Sequence, residues 1–224
     1  MPAEKQQKRT IFLVDDHPLV REWLTNLIDQ HDDLAVCGEA ESVQGALDGI
    51  AETNPDVAIV DLSLAGGSGL DVVKNVRVSR PSTAVIVLSM HDERLYAERA
   101  LRAGARGYIM KRETTSNIIA AIHEVLSGKI HVSSQMNAAL AEKFADGRTP
   151  NLASPVEQLS DRELEVFQLL GQGFETRRVA QVLGVSIKTV QAYCARIKEK
   201  LELANASELL REAVRWNERS STAN

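Results

Sequence analysis

Over the first 128 residues, two patterns of hydrophobic positions alternate. Short runs rich in Val, Ile and Leu occur at Ile11–Val14, Leu34–Cys37, Val57–Val60, Ala84–Leu88 and Gly107–Met110, bounded by charged or glycine-bearing turns. Brief continuous runs of this kind are what strands buried on both faces of a parallel sheet look like. Between them, apolar residues recur at helical spacing. Leu19, Trp23, Leu27 and Ile28 mark the first helix, and Ala46, Leu47 and Ile50 the second. Leu70, Val73 and Val76, with Arg77, mark the third; the fourth runs from Glu93 to Ala103; Ile118, Ile119, Ile122 and Val125 mark the fifth. Five strands alternating with five helices predict a doubly wound α/β domain with a parallel sheet, whose functional crevice lies beyond the carboxyl ends of the strands.

Gly128 is placed to stop the fifth helix. Residues 129–155 then read as a linker, with a short helical piece over Met136–Phe144 and a Pro-, Gly- and Ser-bearing loop over Asp146–Pro155. From Ser160 the pattern is wholly helical. Ser160-Asp-Arg-Glu163 is a capping box, with Leu164, Phe167 and Leu170 following at helical spacing and Gly171 and Gly173 ending the helix. A short helix covers Thr176–Leu183, Gly184 stops it, and Ser186 caps a third running to Leu201, with the stripe Val190, Cys194, Ile197 and Leu201. A last helix spans Ser207–Glu218. Two helices joined by the tight Gly184-Val185-Ser186 turn form a helix-turn-helix. The predicted organisation is an α/β domain over 9–128, a linker over 129–155, and an all-α four-helix domain over 156–219.

Charge sharpens this division. The net −5 lies entirely in residues 1–155, while residues 156–224 are neutral overall. Within the neutral part, Phe174–Lys200 carries six basic side chains against two acidic ones. Such a local basic stretch suits a nucleic-acid face, or a solvated helix face. No run of about 18 apolar residues is present, so no membrane span is predicted. The polar N-terminus has no apolar stretch of the signal-peptide kind, so a cytoplasmic protein is expected. Cys37 and Cys194 fall in different domains and read as free thiols.

Three carboxylates stand at strand ends: Asp15 and Asp16 after the first strand and Asp61 after the third. In a sheet of this winding those strands are neighbours, so the three acids converge. Two unit charges about 4 Å apart repel by roughly 4 kcal/mol at an effective dielectric of about 20. A hard divalent cation such as Mg²⁺ relieves that repulsion, taking one or two carboxylates, waters and a phosphate. A pair of adjacent acids alone is often a solvated turn; three at converging strand ends say more. Ser89 closes the fourth strand and Lys111 the fifth, adding a hydroxyl donor and a cation. Together these are the parts for phosphoryl transfer onto an aspartate.

The stretches FLVDDHPLVR, VAIVDLSLAGGSGLDVV, VIVLSMHDE and GYIMKRET resemble the receiver domain of two-component response regulators, over about Arg9 to Gly128. The resemblance implies that Asp61 accepts a phosphoryl group from a histidine kinase. It implies that Asp15, Asp16, Asp61 and the main-chain carbonyl of Ser63 bind Mg²⁺, and that Ser89 and Lys111 contact the phosphoryl group. Tyr108 falls at the family's switch aromatic, although a half-buried strand tyrosine would look the same. Ala65 stands where the family often has Pro, with Gly66, Gly67 and Gly69 supplying the turn; no phosphate-binding glycine loop is formed. The five histidines show no metal spacing, and His91, just after Ser89, reads as an ordinary loop residue or as one flanking the active site.

The segment LSDRELEVFQLLGQGFETRRVAQVLGVSIKTVQAYCARIKEKLEL resembles the NarL/LuxR-type helix-turn-helix, over about Leu159 to Trp216. The resemblance places the helix after Ser186 in the DNA major groove. Gln191, Ala192 and Ala195 fall at the base-facing positions, with Lys188 on the same face. Thr176, Arg177, Thr189 and Lys198 fall where phosphate contacts are made. Thr176-Arg177-Arg178-Val179 departs from the family's common Asn-Lys-Glu-Ile, and Tyr193 from its common His, so the operator sequence does not carry over. The last helix is the family's dimer contact on DNA.

The whole therefore reads as a transcription regulator and not an enzyme. Its expected partners are a histidine kinase, double-stranded DNA and a second copy of the chain, with room for RNA polymerase. An Asp-nucleophile phosphatase would carry a second Asp where Ser63 stands. A phosphorylation-independent DNA-binding regulator, its receiver serving only as an interaction module, is the remaining alternative.

Overall fold

The computed structural model describes residues 8–64, 67–113, 115–145 and 155–222. The predicted turn at Ala65 and Gly66 and the loop over Asp146–Pro155, apart from Pro155, lie outside the described residues. The chain divides into two compact units, Met1–Ala145 and Asp146–Asn224.

The first unit alternates β1 (Arg9–Val14), α1 (Pro18–Asp29), β2 (Leu34–Ala40), α2 (Val43–Thr53) and β3 (Val57–Val60). It continues with the two-residue strands β4 (Ser63–Leu64) and β5 (Gly67–Ser68), then α3 (Gly69–Ser79), β6 (Ala84–Ser89), α4 (Glu93–Ala103), β7 (Gly107–Met110), α5 (Thr115–Leu126) and α6 (Ser134–Ala145). The main sheet is parallel with order β2-β1-β3-β6-β7, the flavodoxin-like doubly wound arrangement, and β4 and β5 pair separately as an antiparallel ribbon. Because side chains alternate across a strand, Ile11 and Leu13 enter one core with Leu24, Ile28, Ile118, Ile122 and Val125 of α1 and α5. Phe12 and Val14 point to the opposite face, and both are buried.

Three details depart from expectation. The buried face of α1 is carried by Leu24 and Ile28, flanked by Val20 and Leu27, while Leu19 is 79% and Trp23 37% exposed. Val20, Leu24, Leu27 and Ile28 follow the i, i+4, i+7, i+8 stripe; Leu19 and Trp23 sit one residue out of phase with it. Strand β2 runs past Cys37 to Ala40, with a register irregularity opposite Ile11 and Phe12. It is an edge strand, so its outer half is polar and lacks an apolar run. The third departure is the start of the linker. Residues 130–145 belong to the first unit: His131 forms a parallel bridge with Gly107, Val132 and Met136 are buried, and the Ser133 N–H donates to the buried Glu93 carboxylate at 2.8 Å.

The second unit contains a 3-10 turn (Pro155–Gln158), α7 (Asp161–Gly171), α8 (Thr176–Val182), α9 (Ile187–Lys200) and α10 (Ala206–Thr222). The capping box at Ser160 and Glu163 is complete. Gly171 is the last residue of α7 rather than a stop beyond it: a Cβ there would lie 2.4 Å from the Ala213 carbonyl oxygen, so its bareness lets α10 close on α7. Gly184, at φ +63°, makes the tight turn between α8 and α9. Phe167, Leu164, Val166, Val179, Val190, Ile197, Leu209 and Ala213 form the core, and the Trp216 ring lies 5.7 Å from that of Phe167. Among the described residues no helix is long and apolar enough to cross a membrane.

Candidate phosphoacceptor pocket and nucleic-acid interface

The carboxyl ends of β1, β3, β6 and β7 converge in the first unit as the winding requires. Val14 pairs with Val60, Val60 with Val87, and Ser89 with Met110, so the residues that follow meet at one edge. Asp15 and Asp61 are buried, and Asp16 is partly so. Lys111 Nζ lies 2.6 Å from Asp15 Oδ2 and 2.8 Å from Asp61 Oδ2, bridging two carboxylates. Carboxylate or imidazole atoms of Asp15, Asp16, His17 and Asp61 all fall within 4.8 Å of one another. The His17 N–H and ring both engage Asp15 Oδ1, at 2.9 and 3.1 Å. Asp16 Oδ1 is 2.8 Å from His17 Nδ1 but outside hydrogen-bonding geometry, leaving it buried without a donor.

Electrostatics follow from this crowding. Burial pushes the Asp61 carboxyl up to about 6, against the pull of Lys111. Burial draws the Lys111 ammonium down, but the attraction of Asp61 and the hydrogen bonds to Asp15 and Asp61 outweigh it, and its pKa is raised. Lys111 is thus charged, and Asp15 and Asp61 share its one cation. The donor set fits a hard divalent ion: three carboxylates with an orphaned buried oxygen, all oxygen ligands of the type Mg²⁺ takes.

Ser89 is fully buried, and its Oγ accepts the His91 N–H at 3.2 Å. Tyr108 is buried, not half-buried, and donates its hydroxyl to the His91 carbonyl at 2.9 Å; burial pushes its phenol pKa well up. Ser63, on β4, is exposed, and its Oγ lies 2.9 Å from His91 Nε2. A Cβ on Gly69 would sit 1.9 Å from the Asp61 carbonyl oxygen, so only glycine lets α3 begin against the acid's own backbone. Asp15, Asp16, Asp61 and Lys111 meet at this edge, the Ser89 carbonyl accepts the Lys111 N–H, and Ser63 and Tyr108 are joined to Ser89 through His91. His91 flanks the pocket and is not an ordinary loop residue. Burial, then Lys111, lowers its pKa to about 4. No spacing rule could have paired it with Ser63, 28 residues away.

In the second unit, Lys188, Gln191, Ala192 and Ala195 are all exposed on α9, while Val190 and Ile197 face the core. Arg177 is exposed at the start of α8, with Thr176 half-buried beside it. Lys198 is half-buried, and the Thr189 hydroxyl is engaged at 2.8 Å by Ser186, whose side chain also caps α9. Two features escaped the sequence reading. The Arg196 guanidinium lies 4.9 Å over the Tyr193 ring. Buried Glu163, besides closing its capping box, accepts from Lys200 at 2.6 Å and so ties α7 to the end of α9.

Comparison with known proteins finds relatives for both units. Residues 11–123 match the profile of the response regulator receiver domain, and residues 157–213 that of bacterial regulatory proteins of the luxR family. The chain is 34% identical over 209 residues to the oxygen regulatory protein NreC of Staphylococcus carnosus (strain TM300), covering 92% of this chain and 96% of that one. NreC of Staphylococcus aureus (strain MRSA252) is 33% identical over the same shares. Among solved structures, a LuxR-family response regulator from Aurantimonas sp. SI85-9A1 aligns with TM-score 0.58 and 32% identity, over 62% of this chain and 99% of that one. RcsB from Salmonella enterica serovar Typhimurium, bound to promoter rprA in the presence of phosphomimetic BeF3-, aligns with TM-score 0.60 and 25% identity, over 92% and 98%. Receiver domains bind Mg²⁺ at an acidic pocket, and here that pocket has the carboxylates to do so. The receiver-domain and luxR-family matches, on a doubly wound sheet followed by a helix-turn-helix, identify the chain as a response regulator of the luxR-type DNA-binding family, a transcription regulator of two-component systems.

Proposed function

We propose that Asp61 is the phosphoacceptor, that a histidine kinase is the donor, and that the acyl phosphate controls dimerisation and sequence-specific DNA binding. The observation that carries this reading is the pairing of buried Asp61 with Lys111 beside an acidic cluster holding an orphaned oxygen. A carboxylate must be ionised to attack, and a pKa of about 6 leaves Asp61 ionised at neutral pH. Its oxygen forms the new P–O bond as the P–N bond to the kinase histidine breaks, the electron pair leaving with the imidazole. Asp15, Asp16, Asp61 and the Ser63 carbonyl would hold Mg²⁺, which when bound neutralises charge on the phosphoryl oxygens. Lys111, already at the Asp61 oxygen, supplies a second positive charge. Ser89 supplies a hydroxyl for the phosphoryl group and in turning toward it gives up the His91 N–H. Tyr108, bonded to the same residue, then follows into a new position.

In the second unit, Gln191, Ala192, Ala195 and Lys188 face the bases. Gln191 is suited to a bidentate contact with adenine. Thr176, Arg177, Thr189 and Lys198 contact phosphates, which position without specifying. RcsB is bound to promoter DNA, and two RcsB dimers to two parallel DNAs, in solved structures; by that likeness a homodimer of this chain reads two half-sites in the cytoplasm, with RNA polymerase as a further contact.

The test is intact mass after incubation with Mg²⁺ and acetyl phosphate, for wild type and Asp61→Asn, with oligomer mass read in parallel. One phosphoryl adduct, requiring Mg²⁺ and absent from the variant, is expected, together with dimerisation. No adduct from acetyl phosphate or from a kinase, on a folded protein, would sink the reading in favour of a phosphorylation-independent regulator.

A further inference from the structure

His91 lies outside the acidic cluster, yet it touches three separate parts of the pocket. Its ring nitrogen Nε2 is 2.9 Å from Ser63 Oγ, on the segment that follows Asp61. Its N–H donates to Ser89 Oγ and its carbonyl accepts the Tyr108 hydroxyl. Its ring also rests on Tyr96 of α4, with centroids 4.6 Å apart. Tyr96 is fully buried, so the imidazole is braced from behind by a residue of the core.

The segment that His91 holds needs holding. Strand β4 is two residues long, pairs among the described residues with the two residues of β5, and leaves Ser63 exposed. A two-residue ribbon has little stability of its own. The Ser63 side chain and the carbonyl of the same residue share one Cα, so holding the hydroxyl narrows the range over which the carbonyl can move.

We propose that His91 is a positioning residue for the metal site: by holding Ser63 it sets the main-chain carbonyl two residues after Asp61, and its backbone ties that setting to Ser89 and Tyr108. The inference rests on the reading that the Ser63 carbonyl completes a divalent-cation site with Asp15, Asp16 and Asp61. It gives the loop after Asp61 and the switch residues one common strut, so metal binding at one end biases Tyr108 at the other, and the bias is reciprocal.

Packing on Tyr96 can be separated from the bond to Ser63. His91→Phe keeps an aromatic ring against Tyr96 and loses the bond; Ser63→Ala loses the bond and leaves the ring untouched; His91→Gln keeps a side-chain amide able to reach the hydroxyl. The measurement is Mn²⁺ binding to the full chain, read from the free-ion paramagnetic resonance signal, with Mg²⁺ as competitor. His91→Phe, Ser63→Ala and the double variant should each weaken binding by about fivefold, the net worth of one hydrogen bond, with no further loss in the double variant. His91→Gln should recover part of the affinity. Wild-type affinity in Ser63→Ala, or additive losses in the double variant, would overturn the proposal while leaving the metal site standing. A wild-type chain that takes up no Mn²⁺ or Mg²⁺ would remove the metal reading itself, and the strut with it.

Discussion

Replacing Asp61 should make the first unit more stable. The Asp61 side chain is 4% exposed, and burial lifts its pKa from the ordinary 3.8 to about 6 although Lys111 opposes the shift. An acid that holds its proton more tightly in the fold than in the unfolded chain favours folding at low pH. The sign is therefore fixed: the contribution of Asp61 to stability falls as pH rises from about 4 to about 6, and the penalty is complete above that. A displacement of this size corresponds to about 3 kcal/mol. Asp61→Asn keeps the shape and an oxygen for Lys111 but loses the ionic part of that bond, so a net gain of about 1–3 kcal/mol at neutral pH is expected. The chain has two tryptophans, Trp23 and Trp216, one in each unit. Urea unfolding in a Trp216→Phe background, without divalent cations, lets Trp23 report the first unit alone. At about pH 7.5 the Asn variant should be the more stable, and by about pH 4.5 its advantage should have fallen by about 2 kcal/mol. Mg²⁺ should narrow the gap at the higher pH, because an ion bound only by the folded wild type stabilises it by mass action. An Asn variant no more stable than wild type at the higher pH, with the same dependence on pH, would refute the argument that burial and crowding of charge dominate this pocket.

Three further outcomes follow from particular contacts. Gly69→Ala forces a Cβ to within 1.9 Å of the Asp61 carbonyl oxygen and should cost the first unit at least about 1–3 kcal/mol of unfolding free energy, with the second unit unaffected. Glu163 has its pKa lowered, since hydrogen bonds from Lys200 and Ser160 outweigh burial; its stabilisation is present above about 4.5 and is lost as pH falls through its lower folded value. Glu163→Gln should therefore destabilise the second unit by about 1–3 kcal/mol at neutral pH and flatten its acid-side loss, read through Trp216 fluorescence. On operator DNA, Arg177→Ala should weaken binding to all sequences alike and reduce the slope of log K against log salt by about one, whereas Gln191→Ala should relax preference at one base pair; anisotropy titrations across salt separate the two.

The strands buried on both faces were legible because their whole length is apolar: Val57–Val60 and Gly107–Met110 agree residue for residue with β3 and β7. The acids at their ends were legible for the same reason, since the end of such a run marks the functional edge of a doubly wound sheet. What escaped was information held in pairs. The outer half of β2 alternates with solvent, and α1 offered two overlapping apolar phases that only packing could choose between. His91 gained its place from Ser63, Tyr96 and Tyr108, and nothing local in the sequence distinguishes it from a solvated loop histidine. Segment 130–145 reads as linker with a short helical piece, yet a buried Glu93 carboxylate and the free side of β7 hold its first residues in place.

That last attachment bears on how the first unit avoids strand pairing between copies at the sheet edge. Strand β7 ends the sheet, and an uncovered end is a row of idle amide and carbonyl groups ready to pair with another chain. Here the His131 main chain lies along it, accepting from Tyr108 N–H and donating to the Arg106 carbonyl, both at 2.9 Å. A fragment cut after Gly128 would keep every residue of the acidic pocket but bare this edge, and it would also lose Val132 and Met136 from the interior. Such a fragment has a template for intermolecular strand addition and for exchange of segments between copies. The intact 145-residue unit carries its own plug.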